Sequence, residues 1–346
     1  MRLILSLFFL LLSSAASAAD HAVILQYHHF GSNTPPSTSV TMEQFRKHVD
    51  YLSENAFTVW PLDRIIAHLK NKVPLPEKCV AITIDDAYIS IYENAFPLLK
   101  RHGWPFTVFV ATEAVDKGYR EMLSWDQMRE MAESGGAFAG HTDTHAYLLH
   151  KTGKETEAQW KARITEDIKK SFARIHEELG TASTLFAYPY GEYNTAVKKI
   201  VTGLGLTGFG QQSGPAWSGS DFGIVPRFAL AAGYAEMDGF ITKVHSLPLP
   251  VLSASPEDPV VFGNDPRPAL RLILSGGAYS KESLSCFLSG RGTISLQWVD
   301  RERGIVEAVS DRPLPEGRSR YNFTAMHTDG IRYFWYSHLW IHSYSY

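Results

Sequence analysis

The hydrophobic positions of this chain change period part-way along. From Asp20 to about Pro250, short unbroken apolar runs alternate with segments whose apolar residues recur at three- and four-residue steps. The runs Val23 to Tyr27, Phe57 to Trp60, Cys79 to Ile84, Pro105 to Val110, Gly136 to Gly140 and Leu185 to Tyr188 predict strands. Between them, Thr41 to Glu54, Leu62 to Leu69, Ile89 to Arg101 and roughly Glu155 to Leu179 predict helices. In the last of these, Ile164, Ile168, Phe172, Ile175 and Leu179 line one face. Thr41 is placed to cap the first helix, and Ser124-Trp125-Asp126-Gln127 reads as a capping box that opens a helix running to Glu133. This βαβα rhythm predicts a parallel sheet or barrel, in which chemistry gathers where strands end.

After His245 the texture differs. Pro248, Pro250, Pro256, Pro259, Pro266 and Pro268 crowd a segment that can be neither regular helix nor central strand. Beyond it the helical period disappears. Ala269 to Leu274, Ser283 to Leu288, Thr293 to Val299 and Ile331 to Ile341 predict strands separated by Gly, Asp and Ser turns. The expected organisation is an α/β domain at 20–250, a Pro-rich linker at 251–268 and a small all-β, sandwich-like domain at 269–346. Strand alternation sets Tyr333 and Trp335 on one face, and Phe334, Tyr336 and Trp340 on the other. We expect these aromatics to pack the sandwich core and a fixed interface with the first domain.

The N-terminus carries a processing signal. Arg2 precedes the apolar stretch Leu3 to Leu12, and small residues follow, with Ala16-Ser17-Ala18 in the cleavage pattern. Residues 1–19 are therefore expected to be a signal peptide, and the chain to be periplasmic or secreted, without stable membrane insertion after cleavage. The formal charge of -3 argues against nucleic acid as a partner. The two cysteines, Cys79 and Cys286, lie far apart and are expected to be buried free thiols.

Two short motifs bring chemistry to strand ends. Thr83-Ile84-Asp85-Asp86 closes one apolar run with adjacent carboxylates, and His141-Thr142-Asp143-Thr144-His145 follows another with two imidazoles. One carboxylate and two imidazoles make a three-ligand set for a divalent metal with positions left open. The second carboxylate is then free to act as a base toward water. A metal-assisted hydrolase is the reading these parts suggest. Tyr190, in Ala187-Tyr188-Pro189-Tyr190-Gly191, also follows a strand-like run.

In this order on an alternating βα chain, the three motifs resemble those of the polysaccharide deacetylases, carbohydrate esterase family four or the NodB-homology domain. That family reads T-F-D-D, then H-S/T-x-x-H, then R-x-P-Y. The first two are matched here with Ile84 for Phe, and the third only in Pro189-Tyr190. Tyr27-His28-His29 and Phe186 to Asn194 look closest to an exported bacterial branch that includes deacetylases of poly-β-1,6-N-acetylglucosamine.

The resemblance implies a distorted (β/α) barrel of seven strands. It implies Zn2+ or another divalent transition metal on Asp86, His141 and His145, with Asp85 as general base. A backbone N–H of the Pro189-Tyr190 loop would stabilise the oxyanion. The family's third-motif arginine is Ala187 here, and Arg227, after another strand-like run, is the candidate to replace it. For the general acid two histidines are candidates. His245 stands near the family's late L-x-x-H position but one residue out of step, and His28 ends the first strand. The implied substrate is an N- or O-acetylated polysaccharide. The alternatives are a glycan-binding protein that keeps the fold without efficient turnover, and a metal-dependent amidase acting on other substrates.

Overall fold

The computed structural model describes residues 18–343. The expected signal peptide lies outside the described residues apart from Ala18–Ala19, which pair antiparallel with Leu75–Pro76. The apolar runs form a parallel barrel. The strands His21–Tyr27, Cys79–Asp85, Phe106–Val110, Gly136–Gly140, Leu185–Ala187 and Thr207–Phe209 are neighbours in chain order, and every pairing is parallel. Phe228–Ala229 adds in parallel to the other side of His21–Tyr27. A parallel bridge between Phe209 and Val225 draws the two ends of the sheet together. Seven strands in chain order therefore close around one interior.

Strand parity explains what fills that interior. Cys79, Ala81, Thr83 and Asp85 alternate with Val80, Ile82 and Ile84. The even-numbered residues join the cluster packed against helices, with Phe45, Val49 and Leu99. The odd-numbered face turns inward, where Ala81 packs with Ala22, Ile24, Phe109, Ala139, Ala187 and Phe209 in a second cluster. Both faces are covered, so each strand reads as a continuous apolar run.

The helices start where the sequence places caps. Thr41, Ser124 and Thr156 each form a reciprocal capping box with a glutamine three residues on. The predicted helix Ile89 to Arg101 is two pieces, a π-helical turn at Ile91–Ala95 followed by an α-helix at Phe96–His102. Pro97 stands at the junction and has no N–H to continue the regular ladder.

The C-terminal region is two antiparallel sheets over a shared core. In one, the long strands Gly317–Met326 and Tyr333–His342 pair along their whole length. In the other, Ala269–Leu274 lies between Val251–Ser255 and Ile305–Val309. Leu270, Leu272, Cys286, Val306, Tyr321, Phe323 and Trp340 fill the space between them. Cys79 and Cys286 are both buried free thiols.

The segment 251–268 is not a spacer. Val251–Ser255 is a strand at the border of the second sheet, and Val260–Val261 pairs with Ile341–His342. The prolines flank these strands instead of occupying them, so the ladders stay intact. Ile305–Val309 and Gly317–Met326 also escaped the sequence reading, the latter because Arg, Ser and Asn interrupt its apolar pattern. The β-region is pressed onto the barrel. Leu339 and Ile341 join Ile164, Ile168, Phe186 and Tyr188 in one cluster. Trp335 meets Phe228 edge-on at 5.3 Å.

Candidate active site

Asp85 ends an inward-facing row, and the barrel interior supplies its partners. Arg227, fully buried, enters from the segment before the Phe228–Ala229 strand. Its Nη1 donates to Asp85 Oδ1 at 2.7 Å and its Nη2 to Oδ2 at 2.8 Å. Its Nε donates to the Gly210 carbonyl at 2.9 Å, and Nη1 also reaches Thr83 Oγ1 at 3.2 Å. Gln26 Nε2 donates to Asp85 Oδ2 at 2.7 Å. Burial opposes ionisation of Asp85, but the Arg227 guanidinium, with His141 and His28, outweighs it and holds the carboxyl below its usual range.

The next residue leaves the strand geometry. Asp86 and Ala87 have φ of 75° and 61°. This left-handed turn breaks the alternation that would otherwise send adjacent carboxylates to opposite faces. Asp86 Oδ1 then lies 3.2 Å from His141 Nε2 and 3.1 Å from His145 Nε2. His141 follows Gly140, where an added Cβ would meet the Phe172 ring at 2.5 Å, so the strand needs glycine there. Thr142 and His145 also sit at positive φ, and Thr142 Oγ1 accepts the His145 N–H at 2.9 Å.

This cluster fits a cation. His141 Nδ1 is 2.8 Å from the Ala187 carbonyl, which can only accept, so Nδ1 carries a proton. In the neutral ring, Nε2 then presents a lone pair to a carboxylate oxygen. Asp86 Oδ1 is buried with no aligned hydrogen-bond donor among the described residues. The ligand atoms of Asp86, His141 and His145 all lie within 4.8 Å of one another. A divalent ion relieves the facing lone pairs and satisfies the buried oxygen. Asp143 is engaged elsewhere, accepting from Thr112 at 2.7 Å and from Lys170.

The rim is aromatic. Tyr190 has φ of 59° and stacks on Tyr147 at 4.0 Å, with its ring edge-on to His145 at 4.7 Å. Pro189 precedes it in a single 3-10 turn. His28 Nε2 stands 3.9 Å from Asp85 Oδ2, and His29 stacks on Tyr88 at 3.6 Å.

His245 is a correction. It donates to or accepts from the Tyr51 hydroxyl at 3.0 Å and packs against Phe57 at 5.1 Å. Phe57 precedes Thr58–Val59, which pairs with Cys79–Val80 at the start of the strand that Asp85 ends. At about 3.3 Å per residue, these two ends are roughly 20 Å apart. The helix Met237–Val244 packs beside Met42–Glu54 on the outside of the barrel, and the histidine that follows it lies next to Phe57, at the end away from the carboxylates. Gln26, Tyr88, Tyr147 and Arg318, whose Nη1 donates to the Tyr190 carbonyl at 3.0 Å, were missed. Gln26 left a signal, a lone amide inside the run His21–Tyr27, at a position directly paired with Thr83. The others lie in turns or on a distant strand, where no local pattern marks them.

Residues 72–209 match the family model for polysaccharide deacetylase. YxkH of Bacillus subtilis is 31% identical over 170 residues, covering 49% of this chain and 57% of that protein. The match thus spans little more than half of that relative. The poly-beta-1,6-N-acetyl-D-glucosamine N-deacetylase of Staphylococcus aureus is 27% identical over 218 residues, covering 59% of this chain and 74% of that one. Among solved structures, IcaB from Ammonifex degensii superposes with a TM-score of 0.56 at 26% identity, covering 63% of this chain and 94% of that one. The Streptococcus pyogenes deacetylase PplD shares the fold, with a TM-score of 0.59 at 23% identity over 65% of this chain and 98% of that one.

Proposed function

Because the chain belongs to the polysaccharide deacetylase family through its barrel, we propose that it is an exported hydrolase that removes acetyl groups from an acetylated polysaccharide. The observation that carries this reading is the buried Arg227–Asp85 fork set beside the Asp86, His141 and His145 cluster. Asp86, His141 and His145 would hold a divalent transition-metal ion, zinc in the first instance, which when bound acidifies water and stabilises negative charge on oxygen.

Asp85 is the base. Its Oδ2 accepts from both Arg227 Nη2 and Gln26 Nε2, which uses that oxygen's two acceptor sites. Among the described residues Oδ1 accepts only from Arg227 Nη1, so it keeps a lone pair for the proton of the attacking water. Arg227 thereby does the work of the third-motif arginine from the segment that leads into Phe228–Ala229. It keeps Asp85 ionised and fixes its plane.

In the Tyr190 loop, Pro189 has no N–H, and the Gly191 N–H is spent on the Tyr188 carbonyl at 2.8 Å. The Tyr190 N–H is left to donate to the oxyanion of the tetrahedral intermediate. His28, within 4 Å of Asp85 and partly exposed to the site, is positioned to return a proton to the leaving nitrogen or oxygen.

The test is acetate release by metal-loaded protein from a panel of acetylated polymers. The panel includes β-1,6- and β-1,4-linked N-acetylglucosamine, an O-acetylated xylan, and peptide amides as the competing class. Release from an N-acetylglucosamine polymer is expected. His141→Ala should lose both the bound ion and the activity. Binding to these polymers without release by the loaded parent would favour the glycan-binding alternative, and release only from peptide amides the amidase.

A further inference from the structure

We infer that Arg318, carried by the C-terminal β-region, is a positioning residue for the Tyr190 loop of the barrel. The inference rests on the deacetylase reading above and extends it to a region that the barrel's own motifs do not include. Arg318 lies near the start of the strand Gly317–Met326, paired with Ile341. Ile341 is part of the cluster that joins the β-region to the barrel around Phe186 and Tyr188. The strand is thus anchored beside the loop.

From there Arg318 Nη1 donates to the Tyr190 carbonyl at 3.0 Å and lies 3.3 Å from Glu192 Oε1. Its guanidinium carbon is 5.6 Å from the centre of the Tyr190 ring. The Glu192 side chain is 10% exposed and that of Arg318 36%, so the pair with Glu192 is partly buried while the bond to the Tyr190 carbonyl lies at the surface.

The loop needs such a hold. Tyr190 is a non-glycine residue in the left-handed region, a conformation that costs energy and persists only where surrounding contacts impose it. Gly191 follows at φ 71°, pressed so closely on Gln211 that an added Cβ would lie 2.7 Å from it. On the ring side, Tyr190 stacks on Tyr147, which itself stacks on His150 at 4.9 Å. On the backbone side, Arg318 holds the carbonyl.

The N–H and the carbonyl of Tyr190 flank the same Cα. Fixing the carbonyl therefore restricts the rotation that would let Tyr190 relax to negative φ and turn its N–H away. In this arrangement the β-region sets the direction of the oxyanion donor without touching the reacting atoms.

The experiment compares the metal-loaded full chain with Arg318→Ala, Arg318→Lys and, as a control, Arg271→Ala. Arg271 pairs with Glu307 on the exposed face of the other sheet and touches nothing in the site. Arg318→Ala should lower kcat by about tenfold with KM within about twofold and unchanged metal content, because the donor acts on the transition state more than on substrate binding. Arg318→Lys should recover most of that loss, since an ammonium can still donate to the Tyr190 carbonyl. Hydrogen exchange at the Tyr190 to Tyr193 amides should quicken in Arg318→Ala alone. Unchanged kcat, or a fall shared equally by Arg271→Ala, would overturn the inference. If the parent releases no acetate, the deacetylase reading fails. The exchange measurement then still decides whether Arg318 holds the loop, and unchanged protection would sink that claim separately.

Discussion

The barrel and the β-region obey local backbone rules to different degrees. Of the non-glycine residues at positive φ, Asp86, Ala87, Thr142, His145 and Tyr190 all belong to the turns around the carboxylate and imidazole cluster. Among the described residues, none lies in the β-region. Its strands instead alternate cleanly, as in Ala269–Leu274, where every second residue is buried. The barrel also buries a charged pair in its interior, Arg227 with Asp85, each fully inaccessible. Strained turns and buried charge both cost stability, and they are tolerated where surrounding structure imposes them and chemistry uses them. The contrast supports the proposal that the barrel is the seat of reaction and the β-region its support.

The largest effect expected from that contrast is on Asp85. Asp85→Asn keeps the shape of the side chain and most of its acceptor contacts, but an amide cannot take a proton from water. Turnover should fall by about a hundredfold or more while bound metal stays at the parent level. Activity within about tenfold of the parent would remove Asp85 from the role of base. Arg227→Lys sharpens the point. Lysine keeps the charge but loses the fork that engages both carboxylate oxygens. A loss of roughly ten- to a hundredfold in kcat is expected in a folded protein, since such a pair orients as well as neutralises. Normal kinetics would mean that charge alone suffices.

The role of support can be broken by removing it. A chain ending at Pro250 would uncover the barrel face that meets Leu339 and Ile341, take away the ring that Phe228 packs on, and delete the strand beside Leu247–Pro248. It should aggregate, or melt roughly 10 °C or more below the parent. Full solubility and an unchanged Tm would make the β-region a separable module. Its exposed aromatics would then be the first place to look for glycan binding.

Much of this was legible from one-dimensional pattern. A strand covered on both faces is a continuous apolar run, so Cys79 to Ile84 and Pro105 to Val110 announce themselves, and Asp85, Asp86, His141 and His145 follow as punctuation at their ends. Arg227 was legible by a different route, as a charge after a strand-like run in a chain whose usual arginine position is Ala187. His245 failed because proximity to a motif in sequence says nothing about which end of a barrel a helix C-terminus reaches. Arg318 and Gly317–Met326 failed because a strand with one half-buried polar face carries little periodic signal, and because its contact to Tyr190 spans more than a hundred residues of chain. The split of 251–268 into two edge strands could not be read either, since prolines mark where pairing stops but not where a partner begins.

The smallest expected effect is one that both regions should share. Each buries a neutral histidine. In the barrel, His48 is set between the Ala235 carbonyl at 2.7 Å and the Tyr27 hydroxyl at 3.1 Å, and burial pushes it down to about 4. In the β-region, burial beside Trp340 pushes His338 down to about 3. Both folded values lie below the unfolded one, about 6.5. As pH falls through 6.5 the unfolded chain takes up these protons first, so stability is fully present above that pH and is lost progressively toward the folded values. By pH 5 the loss approaches about 2 kcal/mol for each histidine. Urea unfolding of the parent between pH 7 and 5 should show this decline, and His338→Gln should flatten its share without moving the midpoint of the His48 contribution. If His338→Gln left the slope unchanged, the β-region would not be holding its histidine neutral. The two regions would then differ in buried charge chemistry as well as in strain.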